Sequence, residues 1–102
     1  MTFKQDFLEN KAQTIAQAYP KSAHFSKKIV QVARNLGTNP YWLANLINFE
    51  SAGTFSPSIT NSLGYTGLIQ FGTGAASDLG TTTAYLRGLS AEEQMDWVEK
   101  YF

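Results

Sequence analysis

Glu50 is the only charged residue between Arg34 and Asp78. It closes the run Asn39-Pro-Tyr-Trp-Leu-Ala-Asn-Leu-Ile-Asn-Phe-Glu50, and Ser51-Ala-Gly-Thr follows at once. At about 100° per residue on a helix, Leu43, Leu46, Ile47 and Glu50 share one face. The acid is therefore expected on a stripe that packs inward. An unpaired ionised carboxylate there is costly, so Glu50 should find partners or hold its proton to unusually high pH. A carboxylic acid that keeps its proton near neutral pH is what a general acid requires.

Other chemistries are excluded by what the chain lacks. Cysteine is absent, which rules out disulfides and thiolate metal sites. His24 is the single histidine, so neither a Ser-His triad nor a two-histidine zinc site is available, and His24 is expected at the surface. No metal and no cofactor are expected. Net charge is zero over 102 residues, giving no electrostatic reason to bind nucleic acid. Charge is nevertheless split along the chain. Lys4, Lys11, Lys21, Lys27, Lys28 and Arg34 dominate the first third, while Glu92, Glu93, Asp96 and Glu99 crowd the end. The two halves are expected to attract each other weakly in the fold. No stretch resembles a signal peptide or approaches the ~20 apolar residues of a membrane span, so delivery beyond the cytoplasm would need another component.

The elements that must position Glu50 are legible as four helical segments in one domain. Residues 1–22 read as an N-terminal helix, with Thr2 and Gln5 as a capping box and Phe3, Phe7, Ile15 and Tyr19 as its apolar stripe. Ser26 is expected to cap a second helix, which Gly37 stops. Asn39 before Pro40 starts the helix that carries Glu50. Ser90, with Glu93 three residues on, starts a last helix running to the chain end. Because that end, Tyr101-Phe102, is apolar and mid-helix, the chain is expected either to be cut short or to dock its terminus. Between the last two helices, the Gly/Ser/Thr-rich segment 52–89 reads as a functional loop region and one wall of a cleft. Phe49 and Phe55 are expected inside, with Tyr65 nearer the cleft.

Phe49-Glu50-Ser51-Ala-Gly-Thr-Phe55-Ser-Pro57, followed by Gly64-Tyr-Thr-Gly67-Leu68-Ile69-Gln70-Phe71, resembles the two leading motifs of the soluble lytic transglycosylases, lysozyme-like relatives of the goose-type lysozymes. The phage-borne form is the nearest in character, and the resemblance spans residues 27–102. It implies a mainly α, lysozyme-like (α+β) domain that cleaves the β-1,4 bond between N-acetylmuramic acid and N-acetylglucosamine in peptidoglycan. It implies that Glu50 is the catalytic acid, that Ser51 orients it, and that Gly67, Leu68 and Gln70 line the saccharide cleft. Tyr65 and Ile69 are counted with them as substrate-binding residues. Two departures stand out. Phe71-Gly-Thr-Gly-Ala-Ala76 keeps only the last alanine of the family's Pro-x-Thr-Ala turn. The downstream tyrosine-rich helix has no counterpart before Phe102, leaving Tyr65, Tyr85 or Tyr101 as substitutes.

The residues bear on mechanism independently of the resemblance. Glycoside hydrolases generally flank the bond with two carboxylates. The four acids of the last helix read as a solvated face, and Asp78 as a helix-end or turn residue. A single-acid mechanism assisted by the substrate's acetamido group or 6-hydroxyl fits better, and it yields a 1,6-anhydro product. The alternative is a weak or inactive lysozyme-like module, binding or structural, in a phage particle or secretion assembly. Peptidoglycan glycan strands are the expected partner, with no nucleic acid and no membrane insertion. Association with a larger phage or cell-envelope assembly, in the virion or periplasm, would account for delivery.

Overall fold

A computed structural model describes residues 14, 15, 17 and 23–102. Five helices can be bounded within them: α1 (Ala23–Leu36), α2 (Pro40–Glu50), α3 (Thr73–Asp78), α4 (Thr83–Arg87) and α5 (Ala91–Tyr101). Extended structure among the described residues is confined to two isolated antiparallel bridges, Thr60 with Thr66 and Thr66 with Phe71. The molecule is a mainly α globule. Most of the expected N-terminal helix, including Thr2, Gln5, Phe3, Phe7 and Tyr19, lies outside the described residues. Thr14, Ile15 and Gln17 are helical, and Ile15 is buried in the core.

Helix α1 forms because Phe25, Ile29, Val32 and Ala33 recur at helical spacing and are all buried, while His24, Lys27, Gln31 and Arg34 point to solvent. Ser26 does not cap it. The serine lies within α1 on the buried side, and its hydroxyl has no hydrogen-bond partner among the described residues. Phe25, packed edge-on against Phe55 at 6.0 Å, extends the apolar stripe N-terminally and carries the helix past the serine. Gly37 ends α1 with φ +72°, its N–H donating to Arg34 O and the Thr38 N–H to Ala33 O. That pair of bonds is a Schellman termination, with glycine accepting a left-handed conformation at little cost.

Asn39 caps α2 by accepting from the Tyr41 N–H at 2.8 Å, with Pro40 at the first position. Ser90 and Glu93 form the expected reciprocal capping box on α5, each side chain accepting from the other's backbone N–H. Helix α1 packs against both α2 and α5. The basic-against-acidic split is visible there, where Lys28 Nζ pairs with Asp96 at 2.6 Å and Asn35 donates to Glu99 at 3.1 Å. Segment 52–89 contains α3 and α4, two short helices that its loop-like composition conceals. Asp78 is the last residue of α3.

Candidate functional site

Glu50 is the last residue of α2 and borders an open groove of about 650 Å³. The buried stripe of α2 runs through Leu43, Ala44, Ile47 and then Ser51. Glu50 lies about 80° from its centre at ~100° per residue, at the margin between core and groove. The carboxylate is therefore half-buried rather than sunk in the core as the apolar face suggested. No hydrogen bond or ion pair reaches it from the described residues, and the groove leaves it partly hydrated. Phe49, expected inside, is 80% exposed. Its position on the helix is almost opposite the buried stripe, and its ring lines the groove instead.

The other wall is built from segment 59–71. Asn61 accepts from the N–H groups of Leu63 and Tyr65, and Gly64, at φ +87°, lets the chain reverse. The returning strand bonds Thr66 to Phe71 in both directions, at 2.9 and 2.7 Å. Gln70 sits at the tip with φ +59°. Its Nε2 donates to Gly67 O at 2.9 Å and Ile59 O at 3.3 Å, so the amide nitrogen holds the turn while Oε1 receives no bond from the described residues. Tyr65 lies across Gly72, where a Cβ would come within 2.7 Å of the tyrosine ring. The bare glycine backbone is the seat of that ring.

Of the residues singled out from sequence, Glu50, Tyr65, Ile69 and Gln70 line this one groove. Ser51, Gly67 and Leu68 are buried and do not line it. Ser51 does not touch the Glu50 carboxylate. Its hydroxyl donates to Ile47 O at 2.6 Å and accepts from the Phe55 N–H at 2.9 Å, fastening the chain that leaves α2. Among the three candidate tyrosines, Tyr65 and Tyr101 line the groove, whereas Tyr85 packs against Trp97. A second hollow of about 460 Å³, bounded by Gly72, Thr73 and Gly74, shares Tyr65, Ile69, Gln70 and Tyr101 with the first. The two hollows adjoin across these four residues and are together called the cleft.

Gln94 was not picked out by the sequence reading. It is fully buried on α5 and ties three segments together. Oε1 accepts from the Leu68 N–H at 2.8 Å, and Nε2 donates to Leu86 O at 2.8 Å and Pro57 O at 2.9 Å. Gly67, at φ +89°, lies against the same amide, where a Cβ would stand 2.3 Å from Oε1. This glycine supports the cleft wall from behind. A signal for Gln94 was present, since it occupies the apolar stripe of α5 four residues before Val98.

Among the described residues, three non-glycine residues adopt positive φ: Ala52 at +54°, Phe55 at +52° and Gln70 at +59°. Ala52 and Gln70 both line the groove with Glu50, a clustering of backbone strain that is common at functional sites. Among the described residues the groove lining includes no lysine, arginine or histidine, and Glu50 is its single carboxylate. Asp78 is exposed on α3, away from the lining, and the acids of α5 are likewise absent from it. Among the described residues no cluster of three or more histidines and acids is placed to hold a metal ion. No described helix is long and apolar enough to cross a membrane. Comparison of the chain with protein-family models, curated proteins and solved structures finds no match.

Proposed function

We propose that this chain is a lysozyme-like lytic transglycosylase that cleaves the β-1,4 bond between N-acetylmuramic acid and N-acetylglucosamine, with Glu50 as its one acid–base residue. The observation carrying the proposal is a half-buried carboxylate in a cleft that is otherwise lined, among the described residues, by uncharged side chains. Amides, hydroxyls and aromatic rings suit a polymer of hydroxyl and acetamido groups. That no second carboxylate lines the cleft among the described residues favours assistance by the substrate itself. In the reaction, the Glu50 proton passes to the glycosidic oxygen as the C1–O bond breaks. The 6-hydroxyl of the muramic unit then closes on C1, directly or after acetamido participation, and returns its proton to Glu50. No water is consumed, and the product is a 1,6-anhydro end.

The Gln70 Oε1 and the phenols of Tyr65 and Tyr101 are the groups available to orient the sugars. Access to the cell wall would come through a larger phage or cell-envelope assembly. The test is digestion of isolated sacculi by wild-type, Glu50→Gln and Asp78→Asn protein, with product masses recorded. Glu50→Gln should lower cleavage by at least about 10²-fold, since the amide delivers no proton. Asp78→Asn should leave it unchanged, and products should be one water lighter than hydrolytic ones. Undiminished cleavage by Glu50→Gln would overturn the assignment. Hydrated reducing ends would overturn the single-acid mechanism.

A further inference from the structure

Among the described large apolar side chains left exposed, Leu63 is the lone aliphatic and the others are aromatic. Several of these rings form a connected row. Trp42 and Phe49 lie seven residues apart on one face of α2, about 10 Å along its axis. Phe49 borders the groove beside Glu50, and Trp42 stands 47% exposed two turns away. The Phe102 ring, 53% exposed, meets Trp42 at 5.9 Å and Tyr101 at 5.1 Å, both at steep interplanar angles. Tyr101 lines both hollows of the cleft and packs edge-on against Phe71. Tyr101, Phe102 and Trp42 thus run from the cleft outward in successive ring contacts, with Phe49 on the same face of α2 as Trp42.

We propose that Trp42 and Phe102 extend the cleft as a stacking ledge for additional sugar rings of the same glycan strand. This inference rests on the glycan-cleaving reading above. Continuity with the cleft through Tyr101 and Phe49 supplies the occupant. A β-linked pyranose offers a flat face of slightly positive C–H groups, complementary to the negative face of an aromatic ring. Aromatic rings also serve protein interfaces, so it is the contact of this row with the cleft through Tyr101 that selects a sugar as its occupant. Among the described residues the cleft lining holds no cation, which suits a strand gripped through its neutral sugar faces.

The ledge is tested in the full chain carrying Glu50→Gln, using β-1,4-linked N-acetylglucosamine oligomers of two and six units as probes in titration calorimetry. The longer oligomer should bind more tightly than the shorter. Trp42→Ala should weaken the six-unit oligomer about three- to tenfold while leaving the two-unit oligomer and the melting temperature unchanged. In a Trp97→Phe version, where Trp42 is the remaining indole, its emission should shift on adding the six-unit oligomer. Equal binding of the six-unit oligomer with and without Trp42 would overturn the ledge and leave the Glu50 assignment standing. Equal losses for both oligomers would mark general damage to the cleft and also overturn it. Failure of the Glu50→Gln protein to bind either oligomers or sacculi would remove the underlying reading and the ledge with it.

Discussion

Replacing Gln94 by methionine keeps the side chain's length and removes its hydrogen bonds, which isolates what the amide contributes. In the folded protein the Leu68 N–H and the Leu86 carbonyl are fully buried and have Gln94 as partner at 2.8 Å each. The Leu86 carbonyl keeps the Leu89 N–H at 3.2 Å, so the group left without a partner is the Leu68 N–H, at a cost of about 1–3 kcal/mol. The Pro57 carbonyl, only partly buried, regains water and adds little. Against a total stability of about 5–15 kcal/mol for such a domain, this is a large fraction. At about 4–8 °C per kcal/mol, the melting temperature should fall by at least about 4 °C. Urea unfolding followed by circular dichroism, with unchanged m-value, is the assay. Gly67→Ala is its companion, because the new Cβ would meet the same amide at 2.3 Å. That substitution should cost less in a Gln94→Ala background than in wild type, leaving only the strain of φ +89°. A Gln94→Met loss below about 1 kcal/mol, or strictly additive behaviour of Gly67→Ala and Gln94→Ala, would refute the view that this amide is the pin of the cleft wall.

Two further outcomes follow from local hydrogen bonds. Ser51→Ala strips the buried Phe55 N–H of its acceptor and should cost about 1–3 kcal/mol in thermal or urea unfolding; wild-type stability would show that the hydroxyl does not fasten the exit from α2. The Glu93 carboxyl is held below the ordinary glutamate value of 4.5, first by the Ser90 backbone N–H and then by the Ser90 hydroxyl. A depressed folded-state value means that its stabilising contribution is complete above 4.5 and disappears as pH falls through the lower folded value. Unfolding compared between wild type and Glu93→Gln should therefore show a difference that shrinks on acidification. A difference growing toward low pH would contradict the capping geometry.

The features legible in the sequence were those set by chemistry within a few residues. Asn39-Pro40, Ser90 with Glu93, and Gly37 each satisfy or end backbone bonds locally, so their meaning survives without tertiary context. Glu50 was conspicuous through isolation from other charge, although the helical wheel overstated its burial because Ser51, rather than Leu46, completes the buried stripe. Phe49 misled for the opposite reason: its apolar character suggested core, while its angle on α2 turned it outward. Helices α3 and α4 span six and five residues, too short for periodicity to emerge from a Gly/Ser/Thr-rich background. The seat of Tyr65 on Gly72 and the tie from Gln94 to Leu68 join residues that neighbours in sequence do not announce.

The left-handed backbone at Ala52 and Gln70 bears on how this protein could be improved or could drift. Glycine at either position would relieve a conformation that L-residues adopt at a cost of about 1–2 kcal/mol, and stabilising changes of this kind are easily found by selection. Both positions border Glu50, so a screen for heat resistance alone would be drawn toward the residues that shape the cleft. Lineages or libraries selected for ruggedness would then be expected to loosen the groove first, while those held to work on a polymer would retain the strain.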